Sequence, residues 1–371
     1  MFFIELSEID KKMIRIKNKR IIINKINQIG DVTFTLPLAS ELKRIDPSCT
    51  IIFLAKGYIR PLVENYVDVD EFADWDEISK NGMDAATEGL RALKADIIIH
   101  VVLPSRYYRD TYIAAKRAKI RIRLGITFKF YNWISCNRFV HIARAKSGQH
   151  ETQLDLLFAK PFGGKSYYSL HDVMHLTKYK TIKKTAECLK LLDPRKFNLI
   201  LHPKTRGEFI EWPAEQFATL IKVLSPEKFN IFVTGNAKEG DQVREAMIAP
   251  FAHLHDLCGK ISLNDLIELI AHADGLICAS TGPVHLAANL GINTLGLYAP
   301  IKPFDSGRWG PVGPKAEVLC VDKSCEDCRF EKKCHCVSEI TPLQVQAVVL
   351  RWEEELNKKR IVQRESAVLV S

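Results

Sequence analysis

The stretch that most constrains this 371-residue chain runs from Arg20 to Ile45, RIIINKINQIGDVTFTLPLASELKRI. Ile21 to Ile23, continuing to Ile26, form an apolar run without alternation, the pattern of a strand buried on both faces of a parallel sheet. The run breaks at Asn27-Gln28-Ile29-Gly30-Asp31, after which Leu38, Leu42 and Ile45 follow helical spacing. A strand that ends in a small polar loop and enters a helix builds the ligand crevice of an open α/β sheet, at the carboxyl ends of its strands. Asp31 stands where a catalytic carboxylate would face such a ligand. It is equally suited to capping the helix, because Asp accepts from the free N–H groups of a first turn.

The second half repeats the pattern. Gly275 to Ala279 is expected as a buried strand, Ser280-Thr281-Gly282-Pro283-Val284-His285-Leu286-Ala287-Ala288 as a turn and helix, and Thr294 to Tyr298 as the next strand. The N–H groups at such a turn form a natural anion site. Further strands are expected at Thr50–Leu54, Ile97–Leu103, Ile120–Gly125, Phe197–His202 and Asn230–Thr234, with helices between them and a terminal helix over Pro342–Lys358. Alternation in each half argues for two doubly wound α/β domains. The expected division is 1–175 and 176–345, with 346–371 as a C-terminal helix and tail and Lys160 to Lys184 as the linker.

Length supports two domains, since single cores stop growing below this size. With 47% hydrophobic and 26% charged residues the composition is that of an ordinary soluble protein. No apolar run is long enough to span a bilayer, and MFFIELSEIDKK is too acidic for a signal peptide, so a cytoplasmic location is expected. Five scattered cysteines (Cys49, Cys136, Cys188, Cys258, Cys278) fit reduced thiols. Cys320, Cys325, Cys328, Cys334 and Cys336 have only one pair at zinc spacing and are expected as packed or redox-exposed thiols. Asp68-Val69-Asp70 matches a metal-nucleotide Asp-x-Asp but follows no clear buried strand, so a solvated loop is expected there. No metal site is assigned.

The net charge of +9 is concentrated. From Arg106 to Lys146 there are eleven basic residues and one acid, Asp110, interleaved with Phe128, Phe130, Tyr131, Trp133 and Phe139. Such a field suits nucleic acid, anionic lipid or a phosphorylated glycan, or simply a solubilising surface.

Together, IGDVTFTLPLASELKR and STGPVHLAANLGINTLGLYAP resemble the bacterial lipopolysaccharide heptosyltransferases and their relatives, glycosyltransferase family 9. The resemblance covers about Ile21 to Val345. It implies a GT-B fold, with two Rossmann-like domains facing a central cleft, and an inverting transfer that requires no cofactor and no metal. The implied donor is a nucleotide-sugar, ADP-heptose expected, and the implied acceptor is the anionic lipopolysaccharide inner core (lipid A–Kdo). That acceptor gives the basic field a purpose without nucleic acid and would place the chain peripherally on the inner membrane. The resemblance assigns Asp31 as base. It places the donor phosphates at Ser280, Thr281, Gly282 and His285, and the donor ribose at Glu239. Two departures stand out. Ser280 replaces a frequent Asp, and Ile210 replaces a Lys that usually precedes Trp-Pro by two residues, so Lys204 or Arg206, with Thr205, is expected to supply the cation. Acceptor contacts are expected from Gly30, Ser105, Arg106, Arg109, Arg121 and Arg123. The competing readings are a GT-B epimerase or phosphorylase, which would need no polyanion field, and a non-catalytic binder of anionic glycan, which Ile210 and Ser280 would favour.

Overall fold

The computed structural model describes residues 13–102, 108–127, 130–144, 147–205, 210–302, 305–323 and 335–368. The chain divides into two compact units, Met1–Thr181 and Ile182–Ser371.

The first unit is built on a six-stranded sheet of β1 (Arg20–Asn24), β2 (Thr50–Ala55), β3 (Glu71–Asp74), β4 (Ile97–His100), β5 (Ile122–Ile126) and β6 (Arg138–Val140), in the order β3-β2-β1-β4-β5-β6. All the pairings are parallel. Ile22 of β1 sits between Ile52 of β2 and Ile98 of β4, and Ile21, Ile22 and Ile23 are fully buried. This is why the strand shows no alternation: helices cover both faces, so every side chain meets apolar surface.

The second unit repeats the design with β7 (Phe197–His202), β8 (Phe229–Val233), β9 (His255–Asp256), β10 (Gly275–Ala279), β11 (Asn293–Tyr298) and β12 (Ala316–Cys320), in the order β12-β11-β10-β7-β8-β9. Counted from its own first strand, each sheet has the same Rossmann order. Strand order therefore reverses beside β1 and β4 in the first unit, and beside β7 and β10 in the second. Ligands of open α/β sheets bind at this switch, outside the carboxyl ends of the strands. Asp31 follows β1 and Ser280 follows β10, so each motif occupies the switch point of its own sheet.

Several elements differ from the sequence expectation. Asp68-Val69-Asp70 lies outside the strands, but β3 follows it directly, a strand the sequence reading did not assign, and the carboxylates at this edge have fixed partners. Glu71 receives both guanidinium nitrogens of Arg20, at 2.8 and 2.7 Å. Asp70 accepts the Ile51 amide at 2.6 Å and pairs with Lys43 at 2.8 Å. The stretch expected as linker contains the helix Leu170–Leu176, closed at its start by a Ser169–Asp172 capping box. The terminal helix packs into the second unit: Val345, Val349 and Trp352 share a core with Phe197, Phe217 and Trp212. Trp212 is tied there by its indole N–H, which donates to the Ile340 carbonyl at 2.8 Å.

Candidate functional site

After β1 the chain leaves the first sheet through Lys25 to Gln28 and begins the helix Ile29–Ile45, with Gln28 as N-cap. Gly30 and Asp31 are the second and third residues of that helix. Asp31 accepts the backbone N–H of Gln28, the return half of a capping box. Asp31 does cap the helix, and the contact leaves it inside an ionic cluster. Lys25 Nζ lies 3.8 Å from Asp31 Oδ1 and 3.4 Å from Asp155 Oδ2. Asp155, on the helix Glu151–Leu156, also accepts the Thr35 hydroxyl at 2.6 Å and one Arg144 nitrogen at 2.6 Å. Another Arg144 nitrogen pairs with Glu151. His150 is the N-cap of this helix and receives the Thr152 amide.

Exposure separates the members of the cluster. The Asp155 side chain is 1% exposed and that of Lys25 7%, whereas that of Asp31 is 32% exposed. Asp31 is thus the carboxylate that reaches solvent. Burial pushes its carboxyl above the ordinary range, Asp155 and Glu151 add to the effect, and Lys25 and the Gln28 amide oppose it. Burial acts in the same sense on Asp155, but Lys25, Arg144 and the Thr35 hydroxyl outweigh it and hold that carboxyl below the ordinary range. The outcome is an inner carboxylate fixed as an anion and an outer one with heightened affinity for a proton. Such a group can take a proton from a bound hydroxyl.

Behind this loop, Asn24 Nδ2 contacts His100 Nδ1 at 2.8 Å and Thr111 Oγ1 at 2.9 Å. His100 stacks on Tyr112 at 3.9 Å between ring centroids. Burial, with a smaller push from Arg123, lowers the imidazole to about 3, so it stays neutral. These contacts tie the ends of β1 and β4 to the following helix.

In the second unit Thr281 is the N-cap of the helix Gly282–Leu290, and its side chain makes no capping hydrogen bond. Pro283 has no N–H and the Val284 N–H donates to the Thr281 carbonyl at 3.1 Å, so among the described residues the first turn offers the Gly282 N–H at the positive end of the helix dipole. Ser280 is buried and its hydroxyl bonds to the buried Tyr298. His285 lies one turn in and is also buried. His202 ends β7 with Nδ1 2.9 Å from Thr234 Oγ1. Beyond it, Lys204 pairs with Glu211, whose carboxylate also accepts the Thr205 amide at 2.7 Å and hydroxyl at 3.0 Å. Ile210, at the position where a Lys was expected, packs on the core of this unit. Glu239 is the third residue of the helix Ala237–Val243. Its Oε2 accepts the Asn236 amide at 2.7 Å and its own amide donates to Asn236 Oδ1 at 2.9 Å, a complete capping box.

The basic candidates fall in different places. Arg109 opens the helix Arg109–Arg117. The residue before it, Tyr108, accepts from Asn27 Nδ2 at 3.0 Å, so the start of this helix is tied to the Asp31 loop. Arg121 and Arg123 stand at the amino-terminal end of β5, at the opposite end of the sheet from Asp31. The Arg123 guanidinium is taken by the carbonyls of Ser135 at 2.7 Å and Ile120 at 2.6 Å. The structure does not bring these two residues to Asp31. Ser105, Arg106 and Arg206 lie outside the described residues, as do Cys325, Cys328 and Cys334. Cys320 is exposed and Cys336 buried.

Sequence reasoning missed Lys25, Arg144, Glu151 and Asp155. Their one local signal is the pair of acids four residues apart on a short helix; nothing in the sequence names the cations from two other segments that meet them.

The sequence model of glycosyltransferase family 9 (heptosyltransferase) matches residues 113–337, more than half of the chain. Lipooligosaccharide heptosyltransferase 2 of Haemophilus influenzae is 23% identical over 308 residues, covering 78% of this chain and 85% of that protein. Among solved structures, a family 9 glycosyl transferase from Veillonella parvula matches with a TM-score of 0.74 and 18% identity, over 92% of this chain and 99% of that one. Escherichia coli heptosyltransferase WaaC with ADP matches with a TM-score of 0.68 and 19% identity, over 90% and 99%.

Proposed function

Because the chain belongs to glycosyltransferase family 9, we propose that it is an inverting heptosyltransferase that takes its sugar from ADP-heptose and adds it to the lipopolysaccharide inner core, on a lipid A–Kdo acceptor. The observation that carries this reading is the placement of an outward carboxylate, Asp31, at the switch point of one sheet and of a helix N-terminus without a side-chain cap, at Thr281, at the switch point of the other. In the reaction the acceptor hydroxyl oxygen forms a bond to the anomeric carbon as the bond from that carbon to the diphosphate oxygen breaks. Asp31 takes the hydroxyl proton, and ADP leaves as the anion. Developing charge on the diphosphate is met by the N–H groups and hydroxyl at Thr281 and Gly282, with Lys204 as the cation in place of the Lys that Ile210 replaces. Ser280 and His285 shape this turn, and Glu239 contacts the ribose. The solved WaaC complex with ADP supports an adenine nucleotide as the leaving group.

The acceptor carries phosphates and acidic sugars, which suits Arg109 beside the Asp31 loop, together with Gly30, Ser105 and Arg106. Its lipid anchor places the reaction at the cytoplasmic face of the inner membrane. Trp133 and Ile134 are 56% and 47% exposed on the helix Phe130–Ser135, beside Lys116 and the exposed Arg138, a surface suited to anionic headgroups.

The test is calorimetric titration with ADP, UDP and GDP without added metal, followed by assay of ADP-heptose transfer to Kdo-bearing lipid A. Selective ADP binding and a new glycosidic bond are expected. Absence of binding to all three nucleotides, or ADP binding without transfer to any phosphorylated core acceptor, overturns the reading.

A further inference from the structure

The first unit contains a group of charges that capping and folding do not require in this form. Lys25 is 6% exposed, Asp155 1% and Glu151 6%, and together with Arg144 they place two cations and two anions under the helix that carries Asp31. Burying this many charges is costly unless geometry compensates, and apolar replacements of similar volume are commonly as stable. A buried set of charges one contact away from a solvent-reaching carboxylate has a more specific use, because it fixes the field in which that carboxylate binds its proton.

The contacts are graded in that direction. Arg144 bridges Glu151 and Asp155 on one helix face. Thr35, one turn beyond Asp31 on the same helix, donates to Asp155 Oδ2 at 2.6 Å, so the Asp31 helix is keyed to the anion. The same oxygen holds Lys25 Nζ at 3.4 Å, and Lys25 in turn reaches Asp31 Oδ1 at 3.8 Å.

We propose that Lys25 and Asp155 are positioning residues for Asp31: Asp155, anchored by Arg144 and Thr35, holds the Lys25 ammonium, and Lys25 orients the Asp31 carboxylate. The two act on the proton affinity of Asp31 with opposite sign. The Lys25 charge favours the ionised carboxylate, whereas the negative charges of Asp155 and Glu151 disfavour it. Among the described residues, the charged groups that act on Asp31 are Lys25 from the loop after β1 and Glu151 and Asp155 from the helix packed against it, with Arg144 behind them.

The role assigned to Asp31 rests on the transferase reading, but the test does not. The carboxyl carbon of Asp31 is followed by 13C NMR against pH in the full-length protein without substrate, after selective aspartate labelling and assignment with Asp31→Asn. Lys25→Met is expected to raise the Asp31 midpoint by about one unit, the lower end of the effect of a charge at this range. Asp155→Asn is expected to lower it. Glu151→Gln, which removes the other anion, is expected to lower it as well, and keeps the comparison decidable if Asp155→Asn does not fold. Lys25→Arg, which keeps the charge, should return the midpoint most of the way to that of the parent protein. Midpoints unchanged in the folded variants, or Lys25 and carboxylate variants moving in the same direction, overturn the proposal. A transferase assay that fails while the midpoints split as stated removes the catalytic reading and leaves the positioning intact.

Discussion

Lys25 Nζ is 3.8 Å from Asp31 Oδ1, a looser contact than the 3.4 Å it makes to Asp155 Oδ2. The ammonium is anchored on the buried side and only leans towards the outer carboxylate. Asp31 can therefore turn an oxygen onto an incoming hydroxyl without breaking a tight ion pair, as a base requires.

Replacing that oxygen should separate chemistry from binding. Asp31→Asn is expected to lower kcat by about 10²–10⁴-fold, the usual range for a general base. If ADP binds at Thr281 and Gly282 as proposed, its affinity should change by less than about twofold, because uniform binding of the nucleotide would then not involve Asp31. Single-turnover transfer and calorimetry check this. A variant that retains most of its turnover removes Asp31 from the role.

The pH dependence follows from the same carboxyl. As the proposed base it would act as the anion, and burial with two neighbouring acids raises its pKa above the ordinary 3.8. As pH falls, kcat/KM should drop through a midpoint above that value, because protonation removes the base. An acidic limb at or below the ordinary carboxylate value contradicts the assignment.

Asp155 carries the opposite sign. Its folded-state pKa is depressed below 3.8, so it contributes stability that is fully present above the unfolded value and is lost as pH falls from there through the folded value. Thermal unfolding should show this loss in the parent protein and a shallower one in Asp155→Asn. At neutral pH that variant should be destabilised by about 3 kcal/mol, the scale of breaking a buried pair. Equal acid sensitivity of the two proteins would show that Asp155 is not held as an anion.

The sheets were legible in the sequence because strands such as Ile21–Ile23 and Ile277 sit between layers and carry their burial as local apolar runs. β3 was hidden because its polar residues are satisfied by partners far along the chain, as Glu71 is by Arg20. Asp31 announced itself through a strand–loop–helix pattern, which is local. The cluster beneath it did not, since Lys25, Arg144 and Asp155 meet only after the Glu151–Leu156 helix docks on the Ile29–Ile45 helix. Arg121 and Arg123 show the reverse case. A dense basic run in sequence suggests one field, but a short strand carries its residues to the end of the sheet away from Asp31.

In the second unit the open cap at Thr281 separates binding from stability. Its side chain makes no hydrogen bond to the first turn, so Thr281→Val should leave the melting temperature within about 2 °C, since no capping bond is lost. If the hydroxyl contacts the diphosphate, ADP binding should weaken about 10-fold or more, the worth of a hydrogen bond to a charged group. Unchanged ADP affinity would place the phosphates elsewhere.

The exposed face of the helix Phe130–Ser135 makes a final prediction. Trp133 stacks on Phe139 at 5.3 Å and its indole N–H donates to the Thr127 carbonyl at 2.8 Å, so the ring is fixed in place although more than half exposed. A fixed aromatic beside cations enters a headgroup layer with little loss of conformational entropy, and its fluorescence reports the entry. The protein should sediment with vesicles containing phosphatidylglycerol but not with pure phosphatidylcholine vesicles, and binding should fall as salt rises. Trp133→Ala with Ile134→Ser should weaken the association by about tenfold or more, given the apolar surface withdrawn, with turnover on a soluble, lipid-free acceptor unchanged. Vesicle binding that survives both substitutions places the membrane contact on another surface.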